Sequence, residues 1–282
     1  MRVTIEPKSI NFHVSWKFLR TFNLKRSLRT GPSWAPIVQM VYKAHEALAP
    51  AKGEYNRLYT AWQNKLQSLG GDPSAQVLEN FRPLRLSREE DWSDWLAWLL
   101  EKSETGVLAE TLFGSVMDCD AASLKLPRVK REEPSEDQER RADLVVKWKS
   151  GKAADIEVKV GDRQFGKTLE TAAKLKSQHH FILITEDLLP DWSDIESDHV
   201  REAHKGQINV ILWSHVVRGL RRCLWEGRES LAWRAWAWTF CGAIEQKLLG
   251  LRRPVQQQSE VSQLQMTLAW LDVLRPSGGN HA

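Results

Sequence analysis

Two different hydrophobic periods divide the chain. Before about residue 120 and after Ser214, apolar residues recur every three or four positions, which predicts helices. One helix is predicted over Ile37 to Leu69, with a break near Pro50, because proline removes a backbone donor from the helix interior. Another is predicted to begin at a capping box formed by Ser87 and Glu90. The other predicted helices cover 107–113, 168–177, 195–204 and most of the chain beyond residue 214.

The central part of the chain has a period of two instead. Alternating or short apolar runs predict five strands there. They cover Leu124 to Lys130, Arg141 to Trp148, Ala154 to Val160, Phe181 to Thr185 and Gln207 to Trp213. Pro127 places the first strand at a sheet edge or a bulge, and the charged segment Glu132 to Glu139 is interpreted as a solvated loop. The order of elements predicts an α/β layer domain of about 130 residues, flanked by helical additions.

Charge separates the first part of the chain from the rest. Residues 1–85 carry a net charge of +8, whereas the remaining residues carry −4. We interpret 1–85 as a basic, partly helical accessory region, 86–225 as the α/β core and 226–282 as a C-terminal helical extension. This asymmetry is typical of a chain that binds nucleic acid, although a solvated basic face explains it equally well. The candidates for phosphate contacts in this region are Lys17, Arg20, Lys25 and Arg26.

Composition narrows the class of protein. The hydrophobic share of 42% and the charged share of 27% are typical of a soluble globular chain. Cys119, Cys223 and Cys241 lie far apart, so neither a disulfide framework nor a zinc site is expected. No apolar run approaches the roughly 18 residues of a membrane span, and no apolar leader is visible. We expect a cytoplasmic protein with no membrane partner.

Two catalytic signatures overlap in the stretch ADIEVKVGDRQFGKTLE. Gly161 to Thr168 fits G-x-x-x-x-G-K-[ST], the P-loop that holds nucleotide phosphates. Glu157 and Lys159 form an E-x-K, and Asp143 lies fourteen positions before Glu157. The first signature predicts an ATPase and the second predicts a metal-dependent nuclease.

The strand that precedes the loop favours the nuclease. A P-loop strand lies inside a parallel sheet and is apolar on both faces. Here Ile156 and Val158 alternate with Asp155 and Glu157, so one face carries charge. The loop interior, Asp-Arg-Gln-Phe, is also bulky where backbone amides must close around phosphates. Lys167 is then at most a contact for a substrate phosphate.

The acidic residues suit phosphodiester hydrolysis. A hairpin can bring the strand face that carries Asp143 onto the face that carries Glu157 and Lys159. Carboxylate oxygens hold Mg²⁺, the metal acidifies a bound water, and a nearby lysine stabilises charge on the phosphate. The alternative is a surface hairpin whose exposed charges form a cross-strand pair.

The same stretch resembles the PD-(D/E)XK superfamily of restriction-endonuclease-like nucleases. Asp143 stands at the aspartate of the PD motif, and Glu157 and Lys159 stand at the (D/E)-x-K. Similar members open with a helix of the LAWLL type, here Leu96 to Leu100, and a carboxylate follows it that matches Glu110. The resemblance covers about residues 88–225.

Two positions depart from the family pattern. Ala142 precedes the motif aspartate where the motif has proline, a change that is common in divergent members. Many relatives also carry a glutamine early in the next helix. Gln164 is the nearest candidate for this phosphate contact, but it follows Lys159 by only five residues, and Lys167 or Lys174 could take its place.

The resemblance implies a mixed central sheet flanked by helices, in a Mg²⁺-dependent nuclease that hydrolyses DNA, with RNA as the alternative. Glu110, Asp143 and Glu157 would hold Mg²⁺, for which Mn²⁺ is expected to substitute. Lys159 would stabilise the transition state. Such families are frequent in bacterial restriction and anti-phage defence, so we expect that role, controlled by a regulatory protein partner or by homo-oligomerisation.

Two other functions stay open at this point. The fold could serve as a catalytically inactive module for nucleic-acid binding or assembly, although a decayed site usually loses one of the residues that are all present here. The less favoured alternative is a P-loop ATPase that uses GDRQFGKT. Metal-independent binding without cleavage would indicate the first, and tight binding of ATP with Mg²⁺ would indicate the second.

Overall fold

The computed structural model describes residues 35–76, 86–134, 141–161, 178–185, 208–251 and 260–275. These residues form an α/β architecture with six α-helices and one mixed sheet of five strands. The helices are α1 (Ala35–Lys65), α2 (Glu89–Lys102), α3 (Val107–Met117), α4 (Trp213–Glu226), α5 (Leu231–Ala243) and α6 (Glu260–Leu274). The strands are β1 (Arg128–Pro134), β2 (Arg141–Lys147), β3 (Ala153–Val158), β4 (His179–Ile184) and β5 (Ile208–Leu212).

The strands lie side by side in chain order. β1, β2 and β3 are antiparallel neighbours, whereas β4 and β5 run parallel to β3. A tight turn joins β2 to β3, with Trp148 N–H donating to Lys152 O (2.9 Å). Gly151 takes a φ of 84° in this turn, a left-handed conformation that glycine adopts without steric cost. β3 is therefore the central strand, with an antiparallel partner on one side and a parallel partner on the other.

The two faces of the sheet differ in chemistry. The first, which we call the core face, joins the main hydrophobic cluster through Leu144, Val146, Ile156, Val158, Phe181 and Leu183. The second face carries the charged residues of β2 to β4 and a separate apolar cluster around Ile182 and Ile184. Successive side chains of a strand point to opposite faces, so the period of two in the sequence produces this separation.

Aromatic side chains of α2, α3 and α4 fill the layer above the core face. Phe113 of α3 contacts both Trp148 and Phe181, with ring centroids 5.8 and 5.0 Å apart. Trp92 of α2 packs edge-on against Trp213 of α4 at 5.6 Å. Burying such large apolar surfaces is the dominant favourable contribution to folding. This layer also fixes where α2 and α4 begin relative to the end of β3.

α1 and α6, from opposite ends of the chain, pack against each other and against the same core. Trp62 of α1 is 1% exposed and donates its Nε1–H to Leu274 O (2.9 Å). The Arg221 guanidinium of α4 lies 4.9 Å from that ring and bonds to Asp72 and Glu245. The described parts of the flanking regions therefore share one hydrophobic cluster with the α/β core.

Most predicted elements agree with the structure, including the hairpin of β2 and β3, but three details are wrong. α1 runs through Pro50 without a break, since Pro50 is exposed and the carbonyl that it leaves unpaired can bind water. At the start of α2, Asp91 rather than Glu90 closes the capping box, accepting from the Ser87 and Arg88 N–H groups (2.9 Å each).

The third error concerns the first strand. β1 begins at Arg128 and continues to Pro134, so part of the predicted loop is strand, because β2 offers it a hydrogen-bonding edge. The helices predicted at 168–177 and 195–204 lie outside the described residues. Within the described ranges, no helix has both the length and the apolar character that crossing a bilayer requires.

Candidate active site

Asp143 and Glu157 face each other across the hairpin of β2 and β3. The register pairs Leu144 with Ile156, and one further step sets Asp143 opposite Glu157. Residues in such directly opposite positions point to the same face, with Cβ atoms about 5 Å apart. Both side chains are partly buried. The structure thus brings together the two carboxylates that the E-x-K stretch and the upstream aspartate predicted.

Lys159 lies just beyond the end of β3 and reaches the same carboxylates. Its Nζ is 3.0 Å from Glu157 Oε1, and its side chain is only 10% exposed. Its backbone is held from two sides. Lys159 N–H donates to Leu183 O of β4 (2.8 Å), and Trp213 Nε1–H of α4 donates to Lys159 O (3.2 Å). The sheet and the start of α4 therefore fix the backbone of Lys159, and Glu157 holds its ammonium.

A third carboxylate comes from the first residue of α2. Glu89 Oε1 accepts a hydrogen bond from Val160 N–H (2.8 Å), so the start of α2 lies where β3 ends. Its charge acts on both Asp143 and Lys159. Sequence reasoning missed Glu89 because an acidic first turn is already explained by the helix dipole. The available signal was that three acidic residues, Glu89 to Asp91, crowd this turn.

The charges of this group, which we call the acidic cluster, do not balance. Its members are the carboxylates of Glu89, Asp143 and Glu157 and the ammonium of Lys159. Burial and the neighbouring Glu157 raise the pKa of Asp143 to about 7, against the opposing effects of a bond from Val158 N–H (2.7 Å) and of Lys159. Burial alone would lower the pKa of Lys159, but the three carboxylates outweigh it and raise that pKa. Lys159 is therefore charged, and the cluster favours an additional proton or cation.

The structure places Glu110 in a different contact. On α3, Glu110 Oε2 lies 2.8 Å from Arg222 Nη1 of α4, and Glu110 Oε1 accepts from Ala121 N–H (3.1 Å). These bonds tie α3 to α4 on the core-face side of the sheet. Glu89 is the helical carboxylate that the structure places beside Asp143, and the metal-binding role predicted for Glu110 stays a prediction.

The other predicted contact residues lie outside the described residues. They are Lys17, Arg20, Lys25 and Arg26 of the accessory region, and Gln164 and Lys167 after β3. Gly161 is the last described residue of this stretch, so the P-loop signature is described only at its first position. The roles predicted for these residues stay predictions.

A second polar pair lies beside the acidic cluster on the same face. Asp155 precedes Glu157 by two residues, and its Oδ1 is 2.6 Å from Nδ1 of His180, the opposite residue on β4. Both side chains are at most 10% exposed. This pair continues the row of polar side chains from the acidic cluster to β4.

The donor set suits a hard divalent cation, although it is not arranged as a closed metal site. Carboxylate oxygens are the ligands that Mg²⁺ prefers, and the raised pKa of Asp143 reflects a shortage of positive charge around it. Within the described ranges, however, no group of three or more His, Cys, Asp or Glu has the arrangement that holds a metal ion. Glu157 Oε1 bonds to Lys159 instead, so a cation at Glu157 would share that carboxylate with the ammonium or displace it.

Comparisons with protein families, with curated proteins and with solved structures find no match for this chain. An α/β architecture by itself is shared by many unrelated activities. A functional proposal therefore depends on the chemistry of the acidic cluster.

Proposed function

We propose that this chain is a metal-dependent nuclease that hydrolyses phosphodiester bonds, with DNA as the expected substrate. The observation that carries the proposal is the acidic cluster at the end of β3, where three carboxylates surround one ammonium and the pKa of Asp143 is raised to about 7. A perturbed, partly exposed carboxylate with an unbalanced charge is typical of a functional site. A divalent cation would restore the balance.

Each residue of the acidic cluster has a distinct role in this proposal. Glu89, Asp143 and Glu157 would hold Mg²⁺, which supplies a Lewis acid and an acidified water when bound. Lys159 would stabilise the negative charge that develops on the phosphate oxygens. The backbone of Lys159 is bonded to β4 and to α4, which fixes the point from which its side chain extends toward the carboxylates.

We further propose that the sheet corresponds to a restriction-endonuclease-like core. Three features support this assignment: the mixed sheet, the antiparallel hairpin that carries Asp143 and Glu157, and the helix before it that brings Glu89 to the same end of β3. In this assignment β5 and α4 are the closing strand and helix of the core.

Cleavage of plasmid and single-stranded DNA in Mg²⁺ or Mn²⁺ tests the proposed activity. Asp143→Asn and Lys159→Met should each lower the cleavage rate by at least about a hundredfold, because each removes a group that acts on the reacting phosphate or its metal. Asp94→Asn is the matched control: it removes a carboxylate that pairs with Arg131 at the surface, and it should cut at the wild-type rate.

A second candidate function is an inactive nuclease-like module that binds nucleic acid. The observation in its favour is the bond between Lys159 and Glu157, which occupies a carboxylate oxygen that a metal would need. Metal-independent DNA binding with no cleavage by folded protein would support it. Tight binding of ATP with Mg²⁺, lost in Lys167→Ala, would instead indicate the P-loop ATPase.

A further inference from the structure

Three cations on the hairpin of β1 and β2 form a group that we call the basic strip: Arg128, Lys130 and Lys147. The register sets Arg128 opposite Lys147 and Lys130 opposite Val145. Residues in opposite positions point to the same face, and Lys147 shares its face with Asp143 because it lies four residues further along β2. The basic strip and the acidic cluster therefore lie on the same face of the sheet.

The basic strip is exposed and holds like charges in adjacent positions. All three side chains are exposed, whereas Val145 between them is 3% exposed. Like charges directly opposite one another, such as Arg128 and Lys147, destabilise an antiparallel pair. Sheet stability alone would favour an opposite charge at one of these positions, but an anionic ligand benefits from both cations. Lys130 and Lys147 also interact within the chain, so a bound anion would share or replace those partners.

The spacing suits a polymer of phosphates better than a single small anion. Lys147 lies four positions after Asp143, a distance of about 13 Å along a strand. Phosphates of one DNA strand follow each other about every 3.4 Å along the duplex axis, so this distance corresponds to about four nucleotides. Lys130 stands opposite Val145, halfway along this path. A strand held at the acidic cluster could therefore pass over Lys130 and then over Arg128 and Lys147.

We propose that the basic strip binds the phosphodiester backbone of the nucleic-acid substrate and directs one strand toward Asp143. The identity of the polymer rests on the nuclease function proposed above. The strip residues differ from the phosphate contacts expected from the sequence, which lie outside the described residues. Backbone contacts by Arg and Lys carry no base information, so the strip provides affinity without sequence specificity. The substrate must extend several nucleotides to one side of the cleaved bond, about four if a duplex lies with its axis along β2.

The experiment measures binding separately from cleavage. A fluorescein-labelled oligodeoxynucleotide of mixed sequence, single-stranded or duplex, is titrated with the full chain without divalent cations at several salt concentrations, and anisotropy reports binding. The strip variant is Arg128→Gln/Lys130→Gln/Lys147→Gln. Lys130→Gln alone is compared with Lys43→Gln, which removes one exposed charge from α1. Thermal melting establishes that every variant is folded.

We expect the triple variant to bind at least about tenfold more weakly at low salt. The slope of log affinity against log salt should fall by about 0.9 for each lost contact on duplex and about 0.7 on single-stranded DNA, hence by about two to three units in total. Lys130→Gln should show about a third of this change, and Lys43→Gln should bind like the wild type.

Two results would contradict the proposal that the basic strip binds nucleic acid. They are equal affinities of the wild type and the triple variant for the oligodeoxynucleotide, and equal losses of affinity in Lys130→Gln and Lys43→Gln. The two proposals also fail separately. If DNA binding depends on the strip but DNA is never cut, the proposed nuclease activity is wrong and the proposed role of the strip in binding is supported. If the triple variant cuts DNA with unchanged kcat/KM, the proposed role of the strip is wrong and the proposed nuclease activity is supported.

Discussion

Two groups of charges in this molecule each gather carboxylates around a single cation. They differ in exposure to solvent and in how far the cation compensates the negative charge of the carboxylates. In the first, the Arg221 group, Arg221 bonds to Asp72 through two nitrogens (2.9 and 3.3 Å) and to Glu245 through Nε (2.6 Å). All three side chains are at most 1% exposed. In the second, the acidic cluster, three carboxylates share the ammonium of Lys159 and are partly exposed.

The effect of the cation on the neighbouring aspartate differs between the two groups, although the pKa of the fully buried Glu245 is raised in spite of Arg221. Burial would raise the pKa of Asp72, but Arg221 and Ser74 outweigh it and hold that pKa below its usual value. Lys159 also lowers the pKa of Asp143, but burial and Glu157 outweigh it and raise that pKa to about 7. A guanidinium can bond to two carboxylates at once, whereas the Lys159 ammonium lies against Glu157. The Arg221 group is thus closed and structural, while the acidic cluster can still accept a ligand.

Removing the cation of the Arg221 group should have the largest effect on stability. Arg221→Met leaves the buried carboxylates of Asp72 and Glu245 without their partner, and it should lower the free energy of unfolding by about 3–5 kcal/mol. The matched control is Arg222→Met, next in the chain, which removes partly exposed pairs with Glu110 and Glu226 and should cost about 1 kcal/mol or less. Urea denaturation measures both, and equal costs would contradict the distinction.

The next prediction concerns the pH dependence of Asp143. Because its folded pKa is raised, the folded protein keeps a proton that the unfolded chain loses, so ionisation lowers stability as pH rises from about 4 to about 7. Asparagine cannot ionise and still accepts from Val158 N–H. Asp143→Asn should therefore raise the free energy of unfolding by about 1–3 kcal/mol at pH 8 and leave it nearly unchanged at pH 4.

Asp72→Asn is the contrasting variant for that experiment. The lowered pKa of Asp72 means that its ionised form stabilises the fold above about pH 4, and that this contribution is lost as pH falls through the folded pKa. The amide should therefore destabilise the protein at pH 8. Melting curves at both pH values test the pair, and a stability change of the same sign in the two variants at pH 8 would show that the groups do not differ as described.

A smaller effect is expected from divalent cations. At about ten times its dissociation constant, a cation that binds only the folded protein should add about 1.4 kcal/mol to the stability of the wild type. Asp143→Asn should abolish this gain, and Asp72→Asn should keep it, because the Arg221 group is closed to solvent. Thermal shift assays with Mg²⁺ and Mn²⁺ measure the difference. A gain of equal size in Asp143→Asn would place the cation elsewhere.

Replacing Glu245 in the Arg221 group should change the stability least. Burial raises the pKa of Glu245 even though Arg221 opposes it, so a neutral side chain is tolerated at this position. A glutamine oxygen can still accept from Arg221 Nε. Glu245→Gln should therefore change the free energy of unfolding by less than about 1 kcal/mol at pH 8. A loss as large as that of Arg221→Met would show that both carboxylates are needed in ionised form.

The hairpin part of the acidic cluster could be predicted from the sequence because it is local. Asp143, Glu157 and Lys159 lie in or directly after two strands joined by a short turn, and the period of two fixes which side chains share a face. Glu89 could not be predicted in this way. Its contact with Val160 depends on how α2 packs against the sheet, and the family resemblance, in which a carboxylate follows the LAWLL-type helix, led to Glu110 instead.

The basic strip and the Arg221 group could not be predicted from the sequence either, because both are formed by elements that are distant along the chain. β1 contains several charged residues and follows Pro127, so its own sequence favours strand only weakly, and pairing with β2 decides its extent. The position of Arg128 opposite Lys147 follows from that pairing alone. Arg221 occupies a helical position whose burial becomes visible only when Asp72 and Glu245 are brought to it by distant elements.

A comparison of two glutamate variants in one assay tests whether the acidic cluster is a nuclease site. Single-turnover DNA cleavage with Mg²⁺ is measured for the wild type, Glu89→Gln and Glu110→Gln. We predict at least about a hundredfold slower cleavage by Glu89→Gln. Glu110→Gln should cut within a few-fold of the wild-type rate, because Glu110 pairs with Arg222 on α4. Equal rates for the two variants, or no Mg²⁺-dependent cleavage by the wild type, would contradict the assignment of the acidic cluster as a nuclease site.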